Sequence, residues 1–501
     1  MIAKAWGATL SGIDALPIEV EVDMSWTKAD RHFVLVGLAD KAVDESRVRV
    51  KNAIITSGLN WPSAMIICNL APADVRKDAP ALDLPIAMAI LAMNKAVPIP
   101  ELADCLFLGE LGLDGKLRPI DGAVSAALLA HEKGFRRLIV PEANAEEAAI
   151  FPDLEVYGCR TLEDVVSLIN GDLQAPMSQR SFTDDEEPEF EIDFSDVKGQ
   201  THAIRALEIA AAGGHNLLMV GPPGSGKTML ARRIPTIMPP LTLEESVAVT
   251  RVHSASGSRG SQRGLMKVRP FRSPHHTASY AAIVGGGKIP KPGEISLAHL
   301  GVLFMDEMPE FDRDVLESLR QPLEDGIVTV SRVQMQMTFP AEAMLIGAMN
   351  PCPCGFKGYP EAQCVGASLC ERYGAKLSGP LLDRIDLHIT VPRLKPDELL
   401  DMKPGETSAQ IRARVKSARA RQRERFGAAM LNAKMAPRQL REIVTLDAES
   451  EAFMRAVSAK LNISGRVFDR LLKVGRTIAD LAGSEQVTKV HLAEAVQYRE
   501  R

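Results

Sequence analysis

Aromatic residues, cysteines and long apolar runs are all scarce in this chain of 501 residues. Aromatic side chains make up 5% of the sequence, so the cores are expected to be aliphatic and little surface is offered for stacking bases. Seven cysteines are too few for a disulfide scaffold, which favours a reducing, cytoplasmic location. No apolar run reaches about 18 residues, so no transmembrane helix is expected, and Met1–Trp6 lacks the apolar run of a secretory signal.

The overall composition is that of an ordinary globular protein, with 46% hydrophobic and 25% charged residues. The length exceeds what one hydrophobic core usually holds, so about two to four domains are expected. A net charge of −5 argues against a basic surface over the whole molecule. The net charge does not exclude local basic patches that could bind nucleic acid.

The spacing of apolar residues divides the chain into four segments. Residues 1–175 alternate predicted strands with predicted helices, and residues 176–195 form an acidic, proline-containing run that predicts a linker. Residues 196–395 alternate again, and residues 396–501 are predicted to be helical. The fold class is therefore α/β. The predicted strands of the first segment are 18–22, 32–36, 65–70 and 106–108, and its predicted helices are 41–57, 82–93 and 123–133.

A glycine-rich loop at 221–228 fits the pattern G-x-x-x-x-G-K-[ST], follows an apolar strand and precedes a predicted helix. The backbone amides of such a loop and the helix N-terminus surround phosphate groups. Lys227 is expected against the β- and γ-phosphates of ATP, and Thr228 is expected to hold Mg²⁺. The predicted ATP-binding residues are Gly221, Pro222, Pro223, Gly224, Ser225, Gly226, Lys227, Thr228 and Met229.

A second acidic element supports this interpretation. The apolar run Gly301–Met305 predicts a buried strand, and Asp306 and Glu307 follow it directly. A carboxylate at such a strand end can bind Mg²⁺, and its neighbour can polarise the attacking water. Taken alone, the pair could also mark a strand that ends in a polar turn. Downstream of a P-loop, it predicts an ATP-hydrolysing site in which Asp306 contributes to both nucleotide and magnesium binding.

Four further segments fit one known architecture, namely Asp196–Gln200, Met344–Asn350, Ser378–Asp386 and Ser464–Arg466. With the two nucleotide motifs, they resemble the AAA+ class, in particular the branch that contains magnesium-chelatase ATPase subunits and MCM helicases. The resemblance implies a P-loop ATPase core over residues 196–395, followed by a helical lid. It also implies that Asp196–Gln200 leads into the adenine pocket.

The same resemblance implies catalytic roles for three polar residues. Asn350 would orient the attacking water, Arg384 would act as the arginine finger of a neighbour's site, and Arg466 would be the sensor of the lid. A finger that acts in trans requires a ring of subunits. Each residue has an alternative, which is a turn cap for Asn350, an ion pair with Asp383 or Asp386 for Arg384, and replacement of Arg466 by Arg470.

Motifs specific to a narrower group lie within the ATPase region, at Phe271–Ser279, Gly285–Gly287, Pro292–Ser296 and Asn350–Gly355. They are similar to those of the ComM family, also called YifB or magnesium-chelatase-like competence proteins. The family implies a bacterial hexameric helicase that drives branch migration of DNA during natural transformation. The alternative is a protein-remodelling or magnesium-chelatase-type ATPase, although the chain lacks a recognisable integrin-like metal-binding segment.

Two stretches are candidate DNA contacts. Residues 326–339 resemble the hairpin that points into the pore in this branch, with Ser331 and Arg332 near its middle, although a plain solvated hairpin would explain them equally. Residues 251–288 resemble the helix-2 insertion. For His275 and His276 in this insertion, a structural or pore role is expected rather than metal binding. The basic residues of the insertion, which suit phosphate contact, are Arg251, Arg259, Arg263, Lys267, Arg269, Arg272 and Lys288.

Four of the seven cysteines lie within one loop of nineteen residues, surrounded by glycine and proline. Four thiolates without room for a hydrophobic core predict a closed, structural Zn²⁺ site. Their spacing departs from paired C-x2-C motifs, so reduced thiols without a metal are the alternative. The predicted ligands are Cys352, Cys354, Cys364 and Cys370.

Residues 1–175 resemble the catalytic domain of Lon protease, which has a ribosomal-protein-S5-like fold. The resemblance rests on the stretches 77–89 and 109–130. Aligned on them, the serine of the Lon dyad falls on Asp83 and its lysine falls on Val124, so neither partner is present. Ser125 stands beside the vacant position without an amine. An inactive scaffold domain is therefore expected.

The C-terminal segment begins with a strongly basic helix over residues 411–425. At 3.6 residues per turn, its arginines encircle much of the helix instead of forming one face. A solvated lid helix with extended arginine stems is the expected interpretation, and DNA contact is the alternative.

Overall fold

In the computed structural model, the predicted strands assemble into two separate sheets. The chain forms two units, one made of residues 1–184 and 242–266, and the other of residues 185–241 and 267–501. The structure describes residues 2–26, 32–37, 41–75, 77, 80–173, 177–178, 187–257, 264–287, 290–332, 335–355, 367–393, 405–427, 430–461 and 463–499.

The strands and helices are numbered here in chain order. The strands are β1 (Ala3–Ser11), β2 (Asp14–Ser25), β3 (Phe33–Val36), β4 (Met65–Ala71), β5 (Cys105–Phe107), β6 (Glu110–Leu111), β7 (Leu117–Arg118), β8 (Arg137–Pro141), β9 (Glu155–Cys159), β10 (Leu217–Val220), β11 (Phe271–Arg272), β12 (Gly285–Gly286), β13 (Lys291–Pro292), β14 (Val302–Met305), β15 (Ile327–Arg332), β16 (Met335–Pro340), β17 (Met344–Met349) and β18 (Leu387–Thr390). The helices are α1 (Lys41–Thr56), α2 (Asp83–Met93), α3 (Ala123–Lys133), α4 (Glu142–Ala148), α5 (Leu162–Asn170), α6 (Thr201–Gly213), α7 (Lys227–Ile237), α8 (Leu243–Ser256), α9 (Tyr280–Val284), α10 (Glu294–Leu297), α11 (Arg313–Ser318), α12 (Arg320–Asp325), α13 (Ala367–Gly374), α14 (Gly379–Leu382), α15 (Ser408–Phe426), α16 (Pro437–Ile443), α17 (Ala448–Leu461), α18 (Gly465–Ala482) and α19 (Lys489–Gln497).

The first unit is built on a mixed seven-stranded sheet in the order β3-β4-β2-β1-β5-β8-β9. Alternation of residues explains β2, because Ile18, Val20 and Val22 are buried while Glu19 and Glu21 face outward to Lys4. Helix α2 is buried along almost its whole length, which is expected of a helix that is apolar on every side. The observed elements agree with all seven strands and helices predicted for this segment.

The two positions that align with the serine and lysine of Lon protease, Asp83 and Val124, lie in the interior of the first unit. Asp83 is fully buried and its carboxylate accepts from Arg49 Nε at 2.7 Å and from the Leu111 backbone N–H at 3.2 Å. Burial raises the pKa of Asp83, and the hydrogen bonds from Arg49 oppose that effect. Val124 is buried, and the Ser125 hydroxyl donates to the Ile13 carbonyl. These contacts give both positions a structural role in the first unit.

Residues 242–266, which the sequence placed inside the ATPase core region, belong to the first unit in the structure. The Thr242 hydroxyl accepts from the Glu245 backbone N–H and caps the start of α8. The Ser254 hydroxyl accepts from the Gly122 backbone N–H at 2.7 Å, which joins α8 to the start of α3. Arg251 pairs with Asp14.

The second unit contains a parallel five-stranded sheet in the order β11-β14-β17-β10-β18. The strands are almost continuously apolar and buried, as expected for a parallel sheet covered on both faces. The loops that leave the carboxyl ends of these strands meet at one edge, which is where ligands bind in such sheets. No described helix of the chain has the length and apolarity needed to cross a membrane.

Helices α15–α19 follow the sheet and share its hydrophobic core. One buried polar network holds them together. Asp480, at the end of α18, accepts hydrogen bonds from Arg425, Arg476 and Asn432. The side chains of Asp480 and Arg476 are 0% and 1% exposed, and burial lowers the pKa of Arg476. Because an unpaired charge is costly at this depth, the stability of this network depends on the pairing of Arg476 with Asp480.

We predict that Asp480→Ala destabilises the second unit by about 3–5 kcal/mol, because the Arg476 charge remains buried without its carboxylate. Urea unfolding followed by far-UV circular dichroism measures the change. The three tryptophans (Trp6, Trp26, Trp61) all belong to the first unit, so their fluorescence provides an internal reference. The control is Glu442→Ala, which removes an exposed ion pair with Arg438 and should cost less than about 1 kcal/mol. Equal losses in both variants would contradict the prediction.

Candidate nucleotide-binding site

Three of the predicted motifs converge at the carboxyl edge of the parallel sheet. The glycine-rich loop follows β10, Asn350 follows β17, and Asp306 and Glu307 follow β14. Strand β17 lies between the other two and pairs with both, with Met349 opposite Val220 and Gly347 opposite Met305. Because the three strands are parallel neighbours, their carboxyl ends bring these side chains together.

The conformation of the loop depends on its glycines. The Gly221 backbone N–H donates to the Met349 carbonyl at 3.1 Å, and a Cβ at Gly221 would lie 2.2 Å from the Val391 carbonyl oxygen. Gly226 has a φ of 90°, in the left-handed region that favours glycine. Helix α7 begins at the next residue, Lys227, so the loop and the helix N-terminus face the same space.

Lys227 is held in place by acceptors on two loops. Its Nζ donates to the carbonyl oxygens of Gly221 at 2.7 Å and Pro222 at 3.0 Å, and to Asn350 Oδ1 at 3.2 Å. Burial lowers the pKa of Lys227, while the charges of Asp306 and Glu307 oppose that effect. The ammonium group therefore sits in a partly desolvated position from which charge-assisted hydrogen bonds are strong.

Thr228 and Asp306 form the closest link between the two predicted nucleotide motifs. The Thr228 hydroxyl donates to Asp306 Oδ2 at 2.7 Å, and Asp306 Oδ1 accepts from the Glu307 backbone N–H at 2.9 Å. Hydroxyl and carboxylate oxygens are the ligands that Mg²⁺ prefers. Glu307 itself adopts a left-handed conformation with φ of 50°. Such strain in a non-glycine residue is concentrated at functional sites.

The loop also contains an unsatisfied polar atom. The Ser225 hydroxyl is buried and has no hydrogen-bond partner within the described part of the protein. An orphaned donor beside a helix N-terminus and a lysine fits a phosphate group, whose oxygens accept several hydrogen bonds. The residues of this site therefore fit magnesium and a nucleoside triphosphate.

Sequence reasoning missed one neighbour of Glu307. His276 Nδ1 lies 3.6 Å from Glu307 Oε2, although the sequence suggested only a structural or pore role for this histidine. His276 belongs to the loop that follows β11, and β11 pairs in parallel with β14. The order of strands in the sheet would have been needed to find this contact.

Arg384 lies at the opposite end of β10 from the glycine-rich loop of its own chain. The Arg384 carbonyl accepts from Asn216 Nδ2 at 3.0 Å, and Asn216 precedes β10 while the glycine-rich loop follows it. The length of β10 therefore places the Arg384 carbonyl and the start of the glycine-rich loop about 13 Å apart along the strand direction. The guanidinium pairs with Glu324 of α12 and not with Asp383 or Asp386.

The two candidate arginines of the lid differ in their environment. Arg470 pairs with Asp386 in the loop before β18, and Asp386 also hydrogen-bonds His215 at 3.1 Å. Burial would raise the pKa of Asp386, but His215 and Arg470 hold it far below its ordinary value. Arg470 is thus part of a buried link between α18 and the sheet. Arg466 lies exposed in the first turn of α18.

The first group of predicted DNA contacts lies in the hairpin of β15 and β16. Residues 327–332 and 335–340 form an antiparallel hairpin with Arg332 opposite Met335. Ser331 is exposed, and the side chain of Arg332 lies outside the described part of the structure.

Several basic residues that were predicted from the sequence to contact phosphates instead bind protein groups. Arg269 donates to backbone carbonyls, and Arg272 pairs with Glu294. In α15, Arg414 pairs with Glu208, and Arg425 with Asp480. These contacts favour the interpretation of α15 as a structural lid helix. Of the basic insertion, Arg259, Arg263 and Lys288 lie outside the described residues.

Two of the four clustered cysteines are adjacent in space. Cys352 Sγ and Cys354 Sγ are 3.1 Å apart, and Cys352 and Cys370 are buried. Cys364 lies outside the described residues. Within the part of the chain that the structure describes, no group of three or more His, Cys, Asp or Glu residues forms a metal-binding cluster.

Comparison with protein families gives three matches along the chain. Residues 20–144 match the family described as subunit ChlI of Mg-chelatase, residues 193–399 match magnesium chelatase, subunit ChlI, and residues 405–499 match its C-terminal part. The second match contains the glycine-rich loop, the acidic pair and Asn350, so the site described above lies in the shared region.

Several relatives match nearly the whole chain, of which three are described here. The competence protein ComM of Haemophilus influenzae is 42% identical over 99% of this chain and 97% of its own length. YifB of Escherichia coli is 42% identical over 97% of this chain and 95% of its own length. A protein of Mycobacterium tuberculosis, Rv2897c, is 38% identical over 100% and 99%. With its α/β P-loop core, helical lid and Lon-protease-like N-terminal unit, the chain belongs to the ComM/YifB family of magnesium-chelatase-like AAA+ ATPases.

Proposed function

We propose that this protein is an ATP-driven DNA motor that assembles as a hexameric ring and promotes branch migration in the recombination step of natural transformation. The observation that carries the proposal is the convergence of Lys227, Thr228 and Asp306 at one edge of a parallel sheet. These are the groups that would hold magnesium and a triphosphate.

The proposed chemistry assigns one task to each side chain. Lys227 binds the β- and γ-phosphates, while Thr228 and Asp306 hold Mg²⁺, which neutralises charge on the phosphates when bound. Glu307 accepts the proton of the attacking water, and Asn350, already hydrogen-bonded to Lys227 at 3.2 Å, orients that water. Arg384 enters the site of the adjacent subunit, and Arg466 contacts the nucleotide from the lid.

The DNA part of the proposal rests on the competence function named for the H. influenzae relative and on the hairpin of β15 and β16. The hairpin presents Ser331 to solvent and has Arg332 as the last residue of β15. A chelatase-type or protein-remodelling ATPase is the second candidate, favoured by the family matches to magnesium chelatase subunit ChlI. Both candidates need the same ATPase site, so the substrate must be tested directly.

We predict that Lys227→Ala lowers ATP hydrolysis by about 100-fold or more. Glu307→Gln should abolish turnover to a similar extent while ATP still binds, because it removes the base and leaves the phosphate ligands. ATPase rates are measured with and without forked DNA, together with displacement of a branched DNA strand. Lys416→Ala, an exposed lysine of α15, is the control.

DNA-stimulated hydrolysis and branch displacement that are both lost in Lys227→Ala would support the motor. If the protein hydrolyses ATP at a rate that no form of DNA changes, the result would favour protein remodelling or chelation. Absence of ATP binding and hydrolysis in the wild-type protein at every concentration would overturn both candidates.

Arg384 provides a test of assembly. If it completes a neighbour's site, Lys227→Ala and Arg384→Ala are each inactive alone. A one-to-one mixture should recover activity, because about a quarter of the interfaces combine an intact loop with an intact finger. The control mixture of Lys227→Ala with Glu307→Gln carries both defects on the same side of the interface and should stay inactive. Failure of the first mixture, in protein shown by light scattering to form rings, would contradict action in trans.

We also propose that Cys352, Cys354, Cys364 and Cys370 hold one structural Zn²⁺, supported by the concentration of four of the seven cysteines in one loop and by thiolate being a preferred zinc ligand. Protein purified without added metal should contain about one zinc per chain by mass spectrometry. Cys352→Ser should lose it, and Cys68→Ser, which alters a buried cysteine of the first unit, should keep it. Zinc-free wild-type protein would contradict the proposal.

A further inference from the structure

Near the start of the second unit, the segment around Asp193 runs beside the stretch of chain that leads into helix α15. The Asp193 carboxylate accepts from the Ser195 backbone N–H at 2.8 Å, and Phe194 is fully buried in the core of the unit. The Gly405 N–H donates to the Ser195 carbonyl at 3.2 Å. A Cβ at Gly405 would lie 2.7 Å from the Val197 carbonyl oxygen, so the two stretches are in close contact.

The Asp193 carboxylate caps the start of α15. Ser408 is the first residue of this helix, and its backbone N–H donates to Asp193 Oδ1 at 3.2 Å and to Oδ2 at 3.1 Å. The first amides of a helix have no acceptor within the helix, and a negative charge is favourable there. The Thr407 hydroxyl accepts from a different amide, that of Gln410. Burial would raise the pKa of Asp193, but the N–H groups of Ser195 and Ser408 hold it below its usual value.

The side chain of Ser408 extends this link to α7, the helix that begins with Lys227. The Ser408 hydroxyl accepts from the Phe194 backbone N–H at 2.9 Å and lies 2.7 Å from the Thr236 hydroxyl. Thr236 donates its own proton to the Arg233 carbonyl at 2.7 Å, so Ser408 is the donor in the pair of hydroxyls. Both hydroxyl residues are buried. The start of α15 is therefore hydrogen-bonded to α7 as well as to Asp193.

Arg233 completes a closed set of hydrogen bonds. Its Nε donates to the Asp193 carbonyl at 2.7 Å and its Nη2 donates to Asp196 Oδ2 at 2.9 Å. Arg233 is buried and lies less than about two helical turns after Lys227. Asp193 thus accepts from the phosphate-binding helix at its carbonyl and from the lid helix at its carboxylate. Charge-assisted hydrogen bonds of this kind are strong and fix the geometry of their partners.

We propose that Asp193 is a positioning residue for nucleotide binding, which fixes the helical lid relative to the phosphate-binding helix by capping α15. Its hydrogen bonds within the described residues reach Ser195 and Ser408 and the Arg233 side chain, and not the glycine-rich loop. Loss of the cap should therefore lower the fraction of molecules whose lid is in the binding arrangement, and the apparent affinity falls by that fraction. The inference rests on the proposed binding of ATP at this site.

Replacements at position 193 test the proposal. Asp193→Ala removes the cap and should raise the Kd of a non-hydrolysable ATP analogue and the KM for ATP by about 5–30-fold, while kcat at saturating ATP stays within about threefold. Asp193→Asn keeps a side-chain oxygen, which caps helices as well as aspartate does, and should stay within about threefold in Kd. Glu187→Ala is the matched control, because it removes an exposed ion pair of the same segment with Arg412 of α15, and its Kd should change less than about twofold.

Hydrogen exchange separates positioning of the lid from a general loss of structure. In Asp193→Ala, faster exchange should be confined to the first turn of α15 and its neighbours, and the analogue should restore the protection. Thr236→Val is a second variant, which removes the acceptor of the Ser408 hydroxyl and should also raise Kd, by about threefold or more.

Wild-type affinity in Asp193→Ala, or equal losses in the Asn and Ala variants, would overturn the inference. If Asp193→Ala does not fold, unchanged affinity in Thr236→Val would overturn it. A wild-type protein that binds no nucleotide would instead overturn the proposed function, so the two failures are distinguishable.

Discussion

The hydrogen bond between Thr228 and Asp306 is the interaction on which the site depends, since it joins the end of β10 to the end of β14 across the intervening β17. It forms only because the three strands run parallel in adjacent positions. A reversal of any one strand would send its motif to the opposite edge of the sheet. The purely parallel order is therefore the constraint that turns three separate sequence motifs into one chemical site.

The sequence was informative wherever function depends on local geometry. Gly221–Thr228 could be predicted as a phosphate loop because the glycines, the lysine and the flanking apolar run are contiguous, and Asp306 because it ends a buried strand. The contact of His276 with Glu307 could not be predicted, because it depends on β11 lying next to β14. The placement of residues 242–266 with the first unit depends equally on tertiary packing.

Charge counts proved a weaker guide than contiguous motifs. The sequence shows Arg269, Arg272 and Arg414 only as positive charges, and a basic stretch fits phosphate binding. In the folded chain these residues donate to carbonyls and to carboxylates. Arginine carries five donors in a planar fork, which suits buried carboxylates as well as phosphates. Which of the two it meets is decided by acidic partners far away in sequence.

The covalent connections of α8 run to two elements of the second unit. This helix belongs to the first unit, but the chain enters it from α7, which begins with Lys227 and Thr228, and leaves it toward β11, whose loop carries His276. Only the four residues 238–241, two of them prolines, separate α7 from Thr242. Prolines restrict backbone rotation and make such a short link stiff. Helices α7 and α8 are therefore nearly consecutive in sequence although they belong to different units, and Thr228 at the start of α7 is held by Asp306 of its own unit.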